Sequence, residues 1–119
     1  MGSLNGKVAL VLGAAGAGNM GQVIARRFAA EGARVVAAGR HEEALRAFAD
    51  EIGGDYVLCD ITRRADLDAA VAKPLTRFGG LHIAVNATGW GLVKRFDKTT
   101  EEDLDRIVAL QFKGPFFFL

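Results

Sequence analysis

A chain of 119 residues is at most one domain, and for some folds less than one. Hydrophobic residues make up 50%, charged residues 24%, and the net charge is +1, which gives no electrostatic case for nucleic acid or a membrane surface. No apolar run approaches the roughly 20 residues that span a bilayer.

The opening MGSLNG has no apolar signal segment, and Gly6 stands where a myristoylation signal wants Ser or Thr, so the cytoplasm is the default setting. The single cysteine, Cys59, cannot form an internal disulfide, which agrees. Reactive side chains are scarce: one serine (Ser3), one tyrosine (Tyr56) and two histidines (His41, His82). A zinc site wants three or four clustered ligands, so no metal is expected. Ser3, near a terminus, is poorly placed for a nucleophile that must be held in position. Chemistry must come from a cofactor or from sequence outside these residues.

In chain order, KVALVLG (7–13) is a continuous apolar run ended by glycine, and ARVVAAG (33–39), DYVLCD (55–60) and LHIAVN (81–86) repeat the form. Runs that are apolar at every position suit parallel strands covered on both faces. Helix patterns lie between them. Met20, Val23, Ile24 and Phe28 recur at helical spacing, closed by Gly32. Leu45, Phe48 and Ile52 share one side of a helix that ends at Gly53-Gly54. Thr62 is the expected N-cap of RRADLDAAVA, and Pro74 is expected to end or kink that helix. Thr99-Thr100-Glu101-Glu102 reads as a capping box for a last helix. The alternation is β-α four times over, the pattern of an α/β fold with a parallel sheet and helices on both faces. No internal linker divides the chain, so 1–119 is read as part of one dinucleotide-binding domain.

After the first strand, Gly16-x-Gly18-x-x-Gly21 fits the dinucleotide fingerprint and lies between a strand and a helix, as the fingerprint requires. Glycines let backbone N–H groups approach a pyrophosphate, and a helix starting near Asn19 points its positive end at that charge. Alone, the match is weak in a chain with 15 glycines, and a plain strand-to-helix turn is the competing reading. At the end of the second strand, Gly39-Arg40 carries no acid for a ribose 2′-hydroxyl; Arg40, with His41 beside it, suits a 2′-phosphate, against the plain alternative of a solvated arginine.

The run Leu12-Gly13-Ala14-Ala15-Gly16-Ala17-Gly18-Asn19-Met20-Gly21, then CDIT (59–62), NATG (86–89) and DRIVALQFKGPFF, resembles in order and spacing the N-terminal half of the short-chain dehydrogenase/reductase family. Two departures are plain. Leu12 stands for the family's threonine, and the glycine loop is about two residues longer, with Gly13 and Gly21 aligning best. The resemblance implies a Rossmann-type sheet with strand order 3-2-1-4. It implies cofactor contacts from Gly13, Gly16, Gly18, Asn19, Met20, Gly21, Asp60, Ile61, Asn86, Ala87 and Gly89, with Asp60 accepting from the adenine amino group. Each of these also has a structural reading as turn or cap chemistry. Trp90 suits either a cleft lining or packing.

Gln111 takes the position of the family's asparagine, part of an Asn-Ser-Tyr-Lys constellation, and is the one catalytic candidate; a satisfied core amide is the alternative. Leu104, Ile107, Val108, Gln111 and Pro115 are expected on one face of the last helix, and Leu110 and Phe117 on the other. By resemblance, this second face meets a partner subunit, giving a homo-oligomer.

The family's catalytic serine and Tyr-x-x-x-Lys follow the last helix seen here, so FKGPFFFL (112–119) reads as interior sequence of a longer protein. The expected whole is an oxidoreductase preferring NADP, with NAD the alternative cofactor, acting on a small ketone or secondary alcohol. A non-catalytic dinucleotide-binding module is the rival. A methyltransferase-type fold is disfavoured by Gly39-Arg40, where it would carry an acid.

Overall fold

The computed structural model describes residues 2–16, 18–89 and 93–119. Trp90, singled out above, lies outside them.

Four strands form one parallel sheet: β1 (Val8–Leu12), β2 (Arg34–Gly39), β3 (Asp55–Leu58) and β4 (Ile83–Asn86), in the order β3-β2-β1-β4. The register pairs Leu10 with Val36 on one side and with Ala84 on the other. Side chains alternate across a strand. Ala9, Val11, Val35 and Ala37 therefore enter one core layer, and Leu10, Leu12, Val36 and Ala38 enter the other. Apart from the exposed Arg34 at the start of β2, the two central strands are apolar because both faces are covered. Each Leu or Val buried this way contributes about 1.5–3 kcal/mol.

Helices α1 (Met20–Ala30) and α2 (Glu42–Ile52) cover the first layer, through Ala25, Leu45 and Phe48. Helix α3 (Arg64–Phe78) covers the second, through Leu67 and Ala70. The chain then forms a 3₁₀ turn (Phe96–Lys98), α4 (Glu101–Val108), a π-helical segment (Ala109–Lys113) and α5 (Gly114–Phe118). Leu110 and Phe118 pack on the second layer. No helix among the described residues is long and apolar enough to cross a membrane.

Several local expectations are corrected. Met20 is 71% and Val23 57% exposed; α1 instead buries Gly21, Gln22 and Ala25. Thr62 does not cap α3, because its hydroxyl and N–H both donate to Asp60 Oδ1; Arg63 stands at the N-cap without a side-chain bond. Pro74 does not end α3, which runs on to Phe78 with the proline ring buried. The capping box of α4 is Thr100 with Asp103, one residue on from Thr99 and Glu102, since aspartate at the third helical position closes it equally well. The inner face of the final helical run is Leu110, Gly114 and Phe118, while Gln111 is exposed. A π segment carries an extra residue per turn and so rotates the face that follows it. Leu110 thus faces its own sheet rather than the outer side.

Candidate functional site

The C-terminal ends of the strands surround a cavity of about 260 Å³. Its walls come from the β1–α1 loop (Gly13, Ala15, Gly16, Asn19), the end of β2 (Gly39, Arg40, His41), the β3 exit (Cys59, Asp60, Ile61), the β4 exit (Ala87, Thr88, Gly89) and Leu110.

The loop is held at its root. The N–H groups of Gly13 and Ala14 both donate to Ala38 O of β2, at 2.9 and 3.1 Å. Gly13 has φ +87°, in the left-handed region that favours glycine, and a Cβ there would lie 2.7 Å from the Ala87 carbonyl group. Gly21 is needed for packing, since a Cβ would stand 2.2 Å from Gly13 O. Asn19 caps α1 by accepting from Gln22 N at 2.9 Å, while its Nδ2 donates to Gly13 O at 2.9 Å. The α1 N-terminus is thereby aimed along the loop.

The β3 and β4 exits carry the same clasp. Asp60 Oδ1 accepts from Thr62 N (2.9 Å) and Thr62 Oγ1 (2.6 Å). Asn86 Oδ1 accepts from Thr88 N (3.0 Å) and Thr88 Oγ1 (2.6 Å). Burial raises the Asp60 pKa, but the Thr62 bonds and the charges of Arg40 and Arg63 outweigh it, leaving the carboxyl below its ordinary range. Burial, with Asp66 and Asp60 nearby, pushes the Cys59 thiol up to about 11, so it is neutral near pH 7.

Of the sequence-predicted residues, Gly13, Gly16, Asn19, Arg40, Asp60, Ile61, Ala87 and Gly89 meet at this cavity; Gly18, Met20, Gly21, Asn86 and Gln111 do not line it. Gln111 nevertheless stands beside it, for a Cβ on Gly89 would lie 3.9 Å from Gln111 Oε1. Sequence reasoning missed Ala15, Cys59, Thr88 and Leu110 as lining residues. Thr88 could have been found from the Asp-x-Thr and Asn-x-Thr repeat at the two strand ends. It also missed Gln22, which is only 4% exposed on the α1 face turned to the loop. The chain's only tyrosine is remote: Tyr56 Oη donates to Glu42 and accepts from Arg46. Ser3, the only serine, bonds Glu31 before β1 begins. Among the described residues no group of three or more His, Cys, Asp or Glu could hold a metal ion.

A family model described as enoyl-(acyl carrier protein) reductase matches residues 13–119. A crystal structure of a short chain dehydrogenase from Mycobacterium smegmatis superimposes with a TM-score of 0.90 at 32% identity, over 97% of this chain and 49% of that one. A 3-ketoacyl-(acyl-carrier-protein) reductase from Brucella melitensis, solved with NADH, gives 0.89 at 38% identity, over 98% and 48%. An uncharacterised oxidoreductase of Mycobacterium bovis is 38% identical over 115 residues, 93% of this chain and 46% of that protein. The chain spans about half the length of the relatives it matches.

Proposed function

The chain belongs to the short-chain dehydrogenase/reductase family, and on that premise we propose that its cavity binds a nicotinamide dinucleotide, NADP in preference to NAD. It does so as the cofactor-binding part of a cytoplasmic oxidoreductase that reduces a small ketone or oxidises a secondary alcohol. The carrying observation is the convergence of a glycine cradle, an arginine and a carboxylate on one cavity at the strand ends. Ligands of open α/β sheets bind at such strand ends.

The donor set fits the group. Gly13 and Gly21 let the loop, β4 exit and α1 pack closely, which brings the loop backbone to the cavity wall, and the α1 N-terminus favours a pyrophosphate's charge. Asp60 is ionised and can accept from an adenine amino group, with Ile61 beside it. Arg40 is exposed at the cavity wall and, among the described residues, makes no ion pair. It is free to take a 2′-phosphate, and no acid ends β2 to hold a 2′-hydroxyl instead. At about 260 Å³ the cavity is near the lower limit for ligand-sized sites, which suits one part of a dinucleotide with the rest lying along the sheet edge. When bound, the cofactor supplies hydride transfer. The chain's own residues bind and orient it, and Gln111, beside Gly89, would orient a water. The outward apolar side chains of the last helical run, Phe112 and Phe116 among them, would meet a second copy.

A second reading is a dinucleotide-binding module without catalysis, supported by Leu12 in place of the family's threonine and Gln111 in place of its asparagine.

Calorimetric titration with NADP and NAD is the test. A charge-assisted bond contributes roughly 1.5–3 kcal/mol, so NADP should bind about ten- to a hundredfold more tightly, and Arg40→Ala should remove the difference. Equal affinities in the unaltered chain would overturn the preference; no binding of either would overturn the site.

A further inference from the structure

We propose that Gln22 is a positioning residue that sets the shape of the glycine loop for the pyrophosphate, an inference resting on the dinucleotide reading above. Gln22 is buried on α1, yet it is long and polar, and apolar packing gives no reason for it. Its amide bonds the loop on both sides of the turn. Nε2 donates to Ala14 O at 3.0 Å, and Oε1 accepts a longer bond from Gly18 N at 3.4 Å. The same oxygen receives a long contact from Arg26 Nη2 at 3.4 Å, and the residue's own N–H donates to Asn19 Oδ1.

One side chain therefore grips the loop at Ala14, near its root, and at Gly18, near its far end, while Asn19 ties the helix start back to Gly13 O. Gly18, at φ +72°, faces open space where a Cβ would stand, so on that side no side-chain packing holds it. The Gln22 contact ties it from the helix. A glycine-rich loop needs such a tie, because its glycines add conformations that must be lost when the ligand binds.

A residue acting on the pyrophosphate cradle should matter only for ligands that carry a pyrophosphate. Gln22→Met keeps length and volume and removes both amide bonds. We expect it to weaken NADP about tenfold by calorimetry. Adenosine 2′-monophosphate, which has the adenosine and 2′-phosphate but no pyrophosphate, should bind within twofold of the unaltered chain when followed by NMR shifts. Equal weakening of both ligands would mean a merely structural role and would overturn the proposal, as would unchanged binding of both. Should Gln22→Met fail to fold, Gln22→Asn decides by the same two titrations, because it keeps a neutral amide but is one methylene too short to reach both Ala14 O and Gly18 N. Failure of the unaltered chain to bind NADP would instead count against the dinucleotide reading.

Discussion

Strands β3 and β4 are the two outer strands of one sheet, four residues each, and each leaves the sheet through the same side-chain clasp. Their surroundings differ. At the start of β3, Asp55 is paired with Arg77 at 3.2 Å and Lys73 at 3.6 Å, and Tyr56 lies between Arg46 and Glu42. Its clasp is a carboxylate. Strand β4 packs Ile83 and Val85 on one core layer and leaves Ala84 and Asn86 exposed, with a neutral amide as its clasp. Charge guards one edge and supplies an ionised acceptor at its end. The other edge is apolar and open, and its exit stands beside Gln111. On the proposed reading, the adenosine end of a dinucleotide would lie at the first and the reacting end at the second.

The largest expected effect concerns the β4 side. Proton transfer to a ketone needs a donor within hydrogen-bond reach of its oxygen. Asn86, Thr88 and Gly89 offer no acid, and Tyr56 is held by Glu42 and Arg46 at β3. The purified 119-residue chain should therefore show no NADPH oxidation with a panel of ketones, read by absorbance. Steady oxidation in proportion to protein, surviving repurification, would mean that the β4 exit carries chemistry of its own.

Next comes association. Among the described residues β4 pairs only with β1, and Phe112 (68%), Phe116 (67%) and Leu104 (55%) are exposed on the helical run that follows. An open apolar edge invites pairing, whereas charge blunts it. Sedimentation at micromolar concentration should show an associated species. Phe112→Ser with Phe116→Ser should reduce it, and Asp55→Asn at the guarded edge should raise it. A stable monomer would break the contrast between the edges.

The two clasps can also be separated by ligand. Asp60→Ala should weaken adenosine 2′-monophosphate about tenfold, the order expected for a lost charge-assisted bond. Asn86→Ala should leave it within twofold. Equal losses would show that the clasps hold the loops and nothing more.

What the sequence revealed follows the same division. The strands were legible because each centres on a short apolar run, and the loop because its glycines keep a spacing set by backbone contact. The buried face of α1 was legible only in part. Ile24 and Phe28 pack on the first layer as their spacing implied, but Met20 and Val23 are exposed. The buried positions are the small Gly21 and Ala25 and the polar Gln22, which hydrophobic periodicity passes over. The last helical run failed for another reason. Its π segment breaks the 3.6-residue period on which a face is counted, and Gly114, packed within reach of Ile61 O, was the residue that could have marked the inner side. Asp60 was read as a ligand contact and Thr62 as a cap; one hydrogen-bonded pair joins the two, visible only when both bonds are seen together.

The smallest expected effect tests whether the charge at β3 matters apart from the clasp's shape. Asp60→Asn keeps an acceptor for Thr62 and removes the charge. In the folded chain the Asp60 carboxyl sits below its ordinary value, against the pull of burial, through the Thr62 bonds and the Arg40 and Arg63 charges. In the unfolded chain it should titrate near ~3.9. A carboxyl whose folded pKa is depressed gives stability that is present above the unfolded value and lost as pH falls through the folded one. The unaltered chain should therefore melt slightly higher than Asp60→Asn at pH 7, and that gap should close as the pH is lowered below about 4. Asp60 is partly exposed, so the gap should be small and should shrink further in salt. Asn86→Asp gives the complementary case: a carboxylate there keeps the two Thr88 bonds but, among the described residues lining the β4 exit, has no arginine beside it, so its melting difference should follow pH in the same direction and more weakly. A gap for Asp60→Asn that persists unchanged down to pH 3 would mean that the two exits are equivalent clasps, and that the carboxylate at β3 contributes nothing to the fold by its charge.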